Sequence, residues 1–313
     1  MKAYCLTSTE PKNEKPMIEV SHLRKSFGKL TAVDDISFSI NRGEAFALLG
    51  PNGAGKTTTI NMIVGLLRPD SGEVCLDDGQ PSWTPAARRR IGIAPQTLSL
   101  YGDLTAEENL KFFGQLYDLS GQQLKEQVHW ALEFAGLTDR KRHRVKTFSG
   151  GMKRRLNFAS ALIHRPDIVL LDEPTVGVDP HSRNHLFEAV ERLKGEGLTI
   201  LYTTHYMEEA QRLCDRVAIV DAGKVLALDS VDGLIDQHGG RSVVLAELRQ
   251  RPAATAQLPG ELDDVHLRFE STTPFDDVSR LVNEGHVFDS LQIKRPDLET
   301  VFLTLTGRSL RDS

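Results

Sequence analysis

Cysteine is scarce. Cys5, Cys75 and Cys214 are the only three in 313 residues, and none forms a C-x-x-C pair. A disulfide framework is excluded, and Cys75 and Cys214 are expected as small buried hydrophobes, with Cys5 exposed. Long apolar runs are lacking as well. Ala45–Leu49 and Ile168–Leu171 are typical, far short of the roughly 18 residues of a membrane helix. Met1–Pro16 has no apolar h-region, so it reads as a disordered tail rather than a secretory signal. Met17, where a strand-like pattern opens, is an alternative translation start. A cytosolic chain is expected, with any membrane role exercised through a partner. Neither charge sign dominates. The net charge of −5 argues against a protein that coats nucleic acid. No internal repeat or low-complexity tract is present.

With 40% hydrophobic residues a core is readily built, and global disorder is excluded. The length allows one large domain or two. Strand-like patterning runs from Ile18 to Leu49, with turn signals at Phe27-Gly28 and Asn41-Arg42-Gly43. Ala45–Leu49 is apolar throughout, as expected of a buried parallel strand. Helical patterning covers Thr57–Leu67, Thr105–Gly136 and Ser149–His164, and Thr105-Ala106-Glu107-Glu108 forms a capping box. Buried strands return at Ile168–Leu171, Leu198–Tyr202 and Arg216–Val220. This alternation predicts an α/β fold with a mostly parallel sheet. After about Ser230 the pattern becomes a small α+β appendage of about 80 residues, a normal domain size. Its expected strands are Arg241–Leu248, Asp264–Phe269 and Val287–Ile293. Its expected helices are Pro274–Glu284 and Pro296–Leu305, with a loop at Arg251–Ala254.

Two segments carry chemistry. Gly50-Pro51-Asn52-Gly53-Ala54-Gly55-Lys56-Thr57 matches G-x-x-x-x-G-K-[ST] between a buried strand and a helix. Glycines let consecutive backbone N–H groups surround an anion, and the helix N-terminus adds its dipole. Lys56 reaches β- and γ-phosphates, and the Thr57 hydroxyl suits Mg²⁺. The pattern arises by chance in about one chain in a hundred of this length, and its flanking elements lower that further. Ile168-Val169-Leu170-Leu171-Asp172-Glu173 places two carboxylates at the C-terminal end of a strand, the edge where open α/β sheets bind ligands. Asp172 is the expected Mg²⁺ ligand and Glu173 the general base that polarises water.

Phe148-Ser149-Gly150-Gly151-Met152 opens an amphipathic basic helix, with Ser149 lying 23 residues before Asp172. With Gln96, Asp179 and His205 in the same order, the stretch Ile18–Ser230 resembles the ATP-binding subunits of ABC transporters. The resemblance implies a P-loop ABC cassette, with a RecA-like parallel core, an antiparallel β subdomain and an α-helical subdomain. It implies that Phe27 stacks on adenine and that Gly50 to Thr57, with Thr58, bind phosphates. Gln96 then senses Mg²⁺ and the attacking water. Ser149, Gly150 and Gly151 donate to the γ-phosphate of ATP held by a second subunit. Asp179 lies at that interface, and His205 contacts the γ-phosphate. Met152 stands where Gln is usual, and Val176-Gly177-Val178 where Ser-Ala-Leu is common. Neither change removes a phosphate ligand, and both look like the branch that serves drug and polysaccharide exporters. Pro296–Arg308 resembles the ending of daunorubicin-resistance-type exporter ATPases.

The implied protein is an Mg²⁺-dependent ATPase of an ABC-2-type exporter. It closes as a homodimer on ATP and opens on hydrolysis. An integral membrane permease on a separate chain would hold it at the inner face of the membrane. The exported molecule would be drug-, lipid- or polysaccharide-like, and no nucleic-acid partner is expected. Leu98, Leu100 and Tyr101 are the expected permease contacts, whereas Leu110, Phe113 and Leu116 are expected to pack internally. Leu298, Val301, Phe302 and Leu305 share one helix face, expected against the appendage's own sheet. The run Asp139–Lys146 is expected as a solvated face and Arg88–Arg90 as a helix cap. The alternative is a soluble ABC-type ATPase acting on ribosomes or DNA. Ribosome-acting relatives generally carry two cassettes, and DNA-repair relatives insert a long coiled coil. Here one phosphate loop stands about 90 residues from the signature, without a heptad run.

Overall fold

The computed structural model describes residues 15–252 and 258–307. The tail expected over Met1–Pro16 falls almost wholly outside them, as do Cys5, Ala253, Ala254 and Arg308. Strands β1 (Ile18–Phe27) and β2 (Leu30–Ile40) form a hairpin, and β3 (Ala45–Leu49) leads into helix α1 (Lys56–Ile63). Then come β4 (Ser71–Leu76), α2 (Pro85–Arg89) and β5 (Ile91–Ala94). Helices α3 (Ala106–Leu116), α4 (Gly121–Phe134) and α5 (Gly150–Leu162) are followed by β6 (Ile168–Asp172) and α6 (Pro180–Gly195). Next are β7 (Thr199–Thr204), α7 (Met207–Leu213), β8 (Arg216–Asp221), β9 (Lys224–Ser230) and α8 (Val231–His238). The last elements are β10 (Ser242–Leu248), β11 (Glu261–Asp263), β12 (His266–Ser271), α9 (Pro274–Asn283), β13 (Phe288–Lys294) and α10 (Leu298–Thr306).

The six-stranded sheet runs β5-β6-β7-β3-β8-β9 and is parallel except for β9. Side chains of a strand alternate between faces, and β3 shows the consequence. Ala45, Ala47 and Leu49 join a core with the helices, whereas Phe46 and Leu48 join a second core with β1, β2 and α1. Both faces are covered, which is why β3 and β6 are apolar without alternation. Beside this core stands the antiparallel sheet β2-β1-β4.

The expected helix over Thr105–Gly136 is two helices, α3 and α4. Asp118, between them, takes φ of 63° and Gly121, where α4 opens, φ of 56°, left-handed values that interrupt a continuous α-helix. The capping box is present, with Thr105 and Glu108 bonding reciprocally. Leu110 is buried and Phe113 partly so, but Leu116 is exposed, contrary to expectation. At 3.6 residues per turn it sits about 120° around α3 from Leu110, on the solvent side. Arg88 and Arg89 end α2 as expected, while Arg90 pairs with Asp77 and Asp167. Cys75 and Cys214 are free thiols; Cys75, expected buried, is only partly so, while Cys214 is buried and pushed well up in pKa by that burial.

The appendage is the antiparallel sheet β11-β12-β10-β13, with α9 packed on a small core of Val244, Leu267, Phe269 and Leu281. The apolar stripe of α10 does not join it. Leu298, Val301 and Phe302 are sealed against α7 and α8 and belong to the large helical core. The i, i+3, i+4 spacing is as expected, but the partner is different. The small core is already filled by α9, whereas α8 offers Leu234 to the returning chain.

Candidate active site

Four chain segments converge at the C-terminal edge of the parallel sheet. The loop after β3 ends at Gly55, whose φ is 99° and whose added Cβ would lie 2.4 Å from the Ala32 carbonyl oxygen. Only glycine fits there. It turns the chain so that α1 begins at Lys56. The buried Lys56 ammonium donates to the carbonyls of Gly50 (2.8 Å) and Pro51 (3.0 Å). It also lies 3.0 Å from Glu173 Oε1.

From the end of β6, Asp172 accepts the Thr57 hydroxyl at 3.0 Å and the Thr203 hydroxyl at 2.6 Å. Glu173 follows at φ 45°, a conformation unfavourable for a non-glycine residue. Its N–H is held by the Thr203 carbonyl and hydroxyl, each at 3.1 Å. Its carboxylate accepts from Gln96 Nε2 at 3.0 Å. His205 Nδ1, just past β7, lies 3.4 Å from Glu173 Oε1 without forming a hydrogen bond. A buried, strained carboxylate flanked by an amide, an imidazole and an ammonium suits abstraction of a proton from water. The lysine and loop amides suit a polyphosphate.

Ser149, Gly150, Gly151 and Asp179 form a second cluster. Ser149 caps α5 by accepting the Met152 N–H at 3.2 Å. Asp179 caps α6 by accepting from Ser182, and these hydrogen bonds hold its carboxyl below the usual range. An added Cβ at Gly151 would lie 2.1 Å from the Ser182 hydroxyl, so the two caps pack against each other. Among the described residues no hydrogen bond joins this cluster to the phosphate loop, Gln96, Glu173 or His205. Phe27 stands apart as well, half exposed at the end of β1. The path between the clusters runs through Arg154 on α5, which donates to the carbonyls of Gln96 and Val176. In the sequence Arg154 is only one cation of a basic helix, and Thr203, Thr175 and Glu209 carry no motif. A hydroxyl or carboxylate in a strand or helix carries no signal until its burial is known.

The ABC transporter family model matches residues 33–176. The linearmycin resistance ATP-binding protein of Bacillus subtilis is 41% identical over 95% of this chain and 100% of its own length. The chain belongs to the ABC transporter family. The Nod factor export ATP-binding protein I of Bradyrhizobium diazoefficiens is 43% identical over 94% of this chain and 97% of its own length. An ATP-binding subunit of an ABC transporter superposes with a TM-score of 0.65 at 33% identity, covering 71% of this chain and 93% of that one. The cassette MJ0796, solved as a dimer in a post-hydrolysis state with ADP and phosphate, superposes with a TM-score of 0.63 at 27% identity. It covers 68% of this chain and 98% of that one. This ABC protein is an ATP-binding, ATP-hydrolysing subunit of an exporter, and cassettes of the family work as dimers with membrane permeases. No helix among the described residues is long and apolar enough to cross a membrane.

Proposed function

We propose that two copies of the chain close head to tail, so that each copy's signature cluster completes the other's phosphate site. Lys56 and the amides of Gly50–Thr57, with Thr58, bind phosphates, and Phe27 stacks on adenine. Glu173 takes a proton from water as its oxygen attacks the γ-phosphorus and the bond to the β–γ bridging oxygen breaks. Gln96 positions that water and His205 donates to the γ-phosphate. Ser149, Gly150 and Gly151 of the second copy close the site, with Asp179 at the interface. The observation that carries this reading is the convergence of Lys56, Gln96 and His205 on the one carboxylate of Glu173.

Mg²⁺ fits the residues present. Thr57 and Asp172 already meet through hard oxygens, with Gln96 nearby. No cluster of three or more acidic, histidine or cysteine ligands occurs among the described residues. Mg²⁺ is commonly held by one or two protein oxygens together with substrate phosphates, and Thr57 and Asp172 would supply them here. When bound, Mg²⁺ neutralises charge developing on the phosphate oxygens.

The partner is an integral membrane permease, which holds the chain at the cytoplasmic face. Leu98, Leu100 and the half-exposed Tyr101, whose ring meets Phe112 edge-on, serve as its docking surface. The exported substrate is drug-, lipid- or polysaccharide-like. Support comes from relatives named for linearmycin resistance and Nod factor export. The cassette spans residues 17–230 and the accessory domain residues 231–313. The deciding experiment is co-expression with candidate permeases, purification, and ATPase assay with and without the partner. Permease-stimulated hydrolysis is expected. Hydrolysis indifferent to every permease, with co-purification of ribosomes or DNA, overturns the reading.

A further inference from the structure

Glu209, four residues beyond His205 on α7, is a buried carboxylate at 1% exposure. No lysine, arginine or histidine pairs with it among the described residues. It is satisfied instead by three hydroxyls. Thr175 donates to Oε1 at 2.6 Å, and Thr204 (2.8 Å) and Tyr202 (3.1 Å) donate to Oε2. All three donors are themselves 1% exposed. Burial and the adjoining carboxylate drive the Tyr202 phenol pKa upward, so it stays a donor. A buried carboxylate is expensive, and here three hydrogen bonds and a place in the first turn of α7 offset the lost water.

The donors come from segments that must be in register for hydrolysis. Thr175 lies two residues past Glu173, on the loop that leads to Asp179. Thr204 immediately precedes His205. Its hydroxyl also accepts the Tyr206 N–H at 2.9 Å, and its carbonyl accepts the Gly50 N–H at 3.2 Å. A single carboxylate thus clamps the segment bearing His205 to the loop after Glu173, and through Thr204 to the phosphate loop. Resting on the site reading proposed above, we infer that Glu209 is a positioning residue. It fixes His205 relative to Glu173 and transmits the placement of the Asp179 loop to it.

Glu209→Ala leaves the three hydroxyls without their common acceptor. The expected result is a kcat about tenfold or more below wild type, with KM for ATP within about twofold. ATP-induced dimerisation of a Glu173→Gln background should weaken. Glu209→Gln keeps one acceptor oxygen and should recover most of the rate. If Glu209→Ala does not fold, the near-isosteric Thr175→Val and Thr204→Val each remove one clamp bond. Each should lower kcat in the same selective way. Wild-type kcat in the folded variants, or equal loss of ATP binding and turnover, overturns the inference. Wild-type hydrolysis by Glu173→Gln alone would instead overturn the site reading on which it rests.

Discussion

Lys56 Nζ lies 3.0 Å from Glu173 Oε1, and both side chains are almost sealed from solvent. Lys56 is therefore the counter-ion of Glu173. On the proposed mechanism, a bound phosphate would compete with Glu173 for Lys56. Glu173→Gln is expected to retain ATP binding and to slow hydrolysis by about 10²–10⁴-fold, read by nucleotide binding and single-turnover assay. Lys56→Ala is expected to lose ATP binding. It should also lower unfolding stability by about 3 kcal/mol, because it strands a buried carboxylate. Adding Glu173→Gln to it should restore much of that loss in a denaturant titration.

Arg154 ties the signature helix to the carbonyls of Gln96 and Val176. Burial lowers its pKa, opposed by the nearby charges of Asp172 and Glu173, and a guanidinium remains charged throughout. Arg154→Met removes two charge-assisted bonds, each worth about 1.5–3 kcal/mol. A tenfold or greater fall in kcat is expected with little change in ATP affinity. Arg154→Lys, which reaches only one carbonyl at a time, should fall between.

The stripe of α10 makes a prediction about the accessory domain. Phe302, at 1% exposure, lies in the helical core of the cassette. Phe302→Ala is expected to cost about 3–5 kcal/mol and to lower the melting temperature of the cassette itself. A melting temperature unchanged by this substitution would show that α10 is not part of that core.

His164 stacks on Tyr117 with ring centroids 3.6 Å apart. Burial pushes its pKa down from 6.5 to about 4, against a weaker opposing pull from the Ile91 backbone. The unfolded chain therefore binds this proton more tightly than the folded one. The stabilisation is complete above pH 6.5 and is lost as pH falls towards 4. His164→Gln should flatten the fall in melting temperature across that window relative to wild type, as measured by thermal denaturation at a series of pH values.

The ends of Ala45–Leu49 and Ile168–Asp172 were legible because a strand buried on both faces must be apolar throughout. Polar residues that break such a run mark the ligand edge. The phosphate loop followed for a similar reason, since glycine, lysine and threonine at fixed spacing have few other uses. Less legible were β5, with Gly92 inside a four-residue strand, and α6, whose first turn is Pro-His-Ser-Arg. Leu116 is exposed because it lies about 120° around α3 from Leu110, an angle that its apolar residue type does not reveal.

The sequence by itself determined the nucleotide chemistry of this protein, because backbone geometry at a phosphate loop depends on residues adjacent in the chain. It also determined that α10 has an apolar stripe. Only the tertiary structure decided what that stripe covers, that Arg154 spans two loops, and that Glu209 gathers three hydroxyls. Those facts depend on contacts between distant segments. Hydroxyls and carboxylates look alike in sequence whether water or another buried group satisfies them.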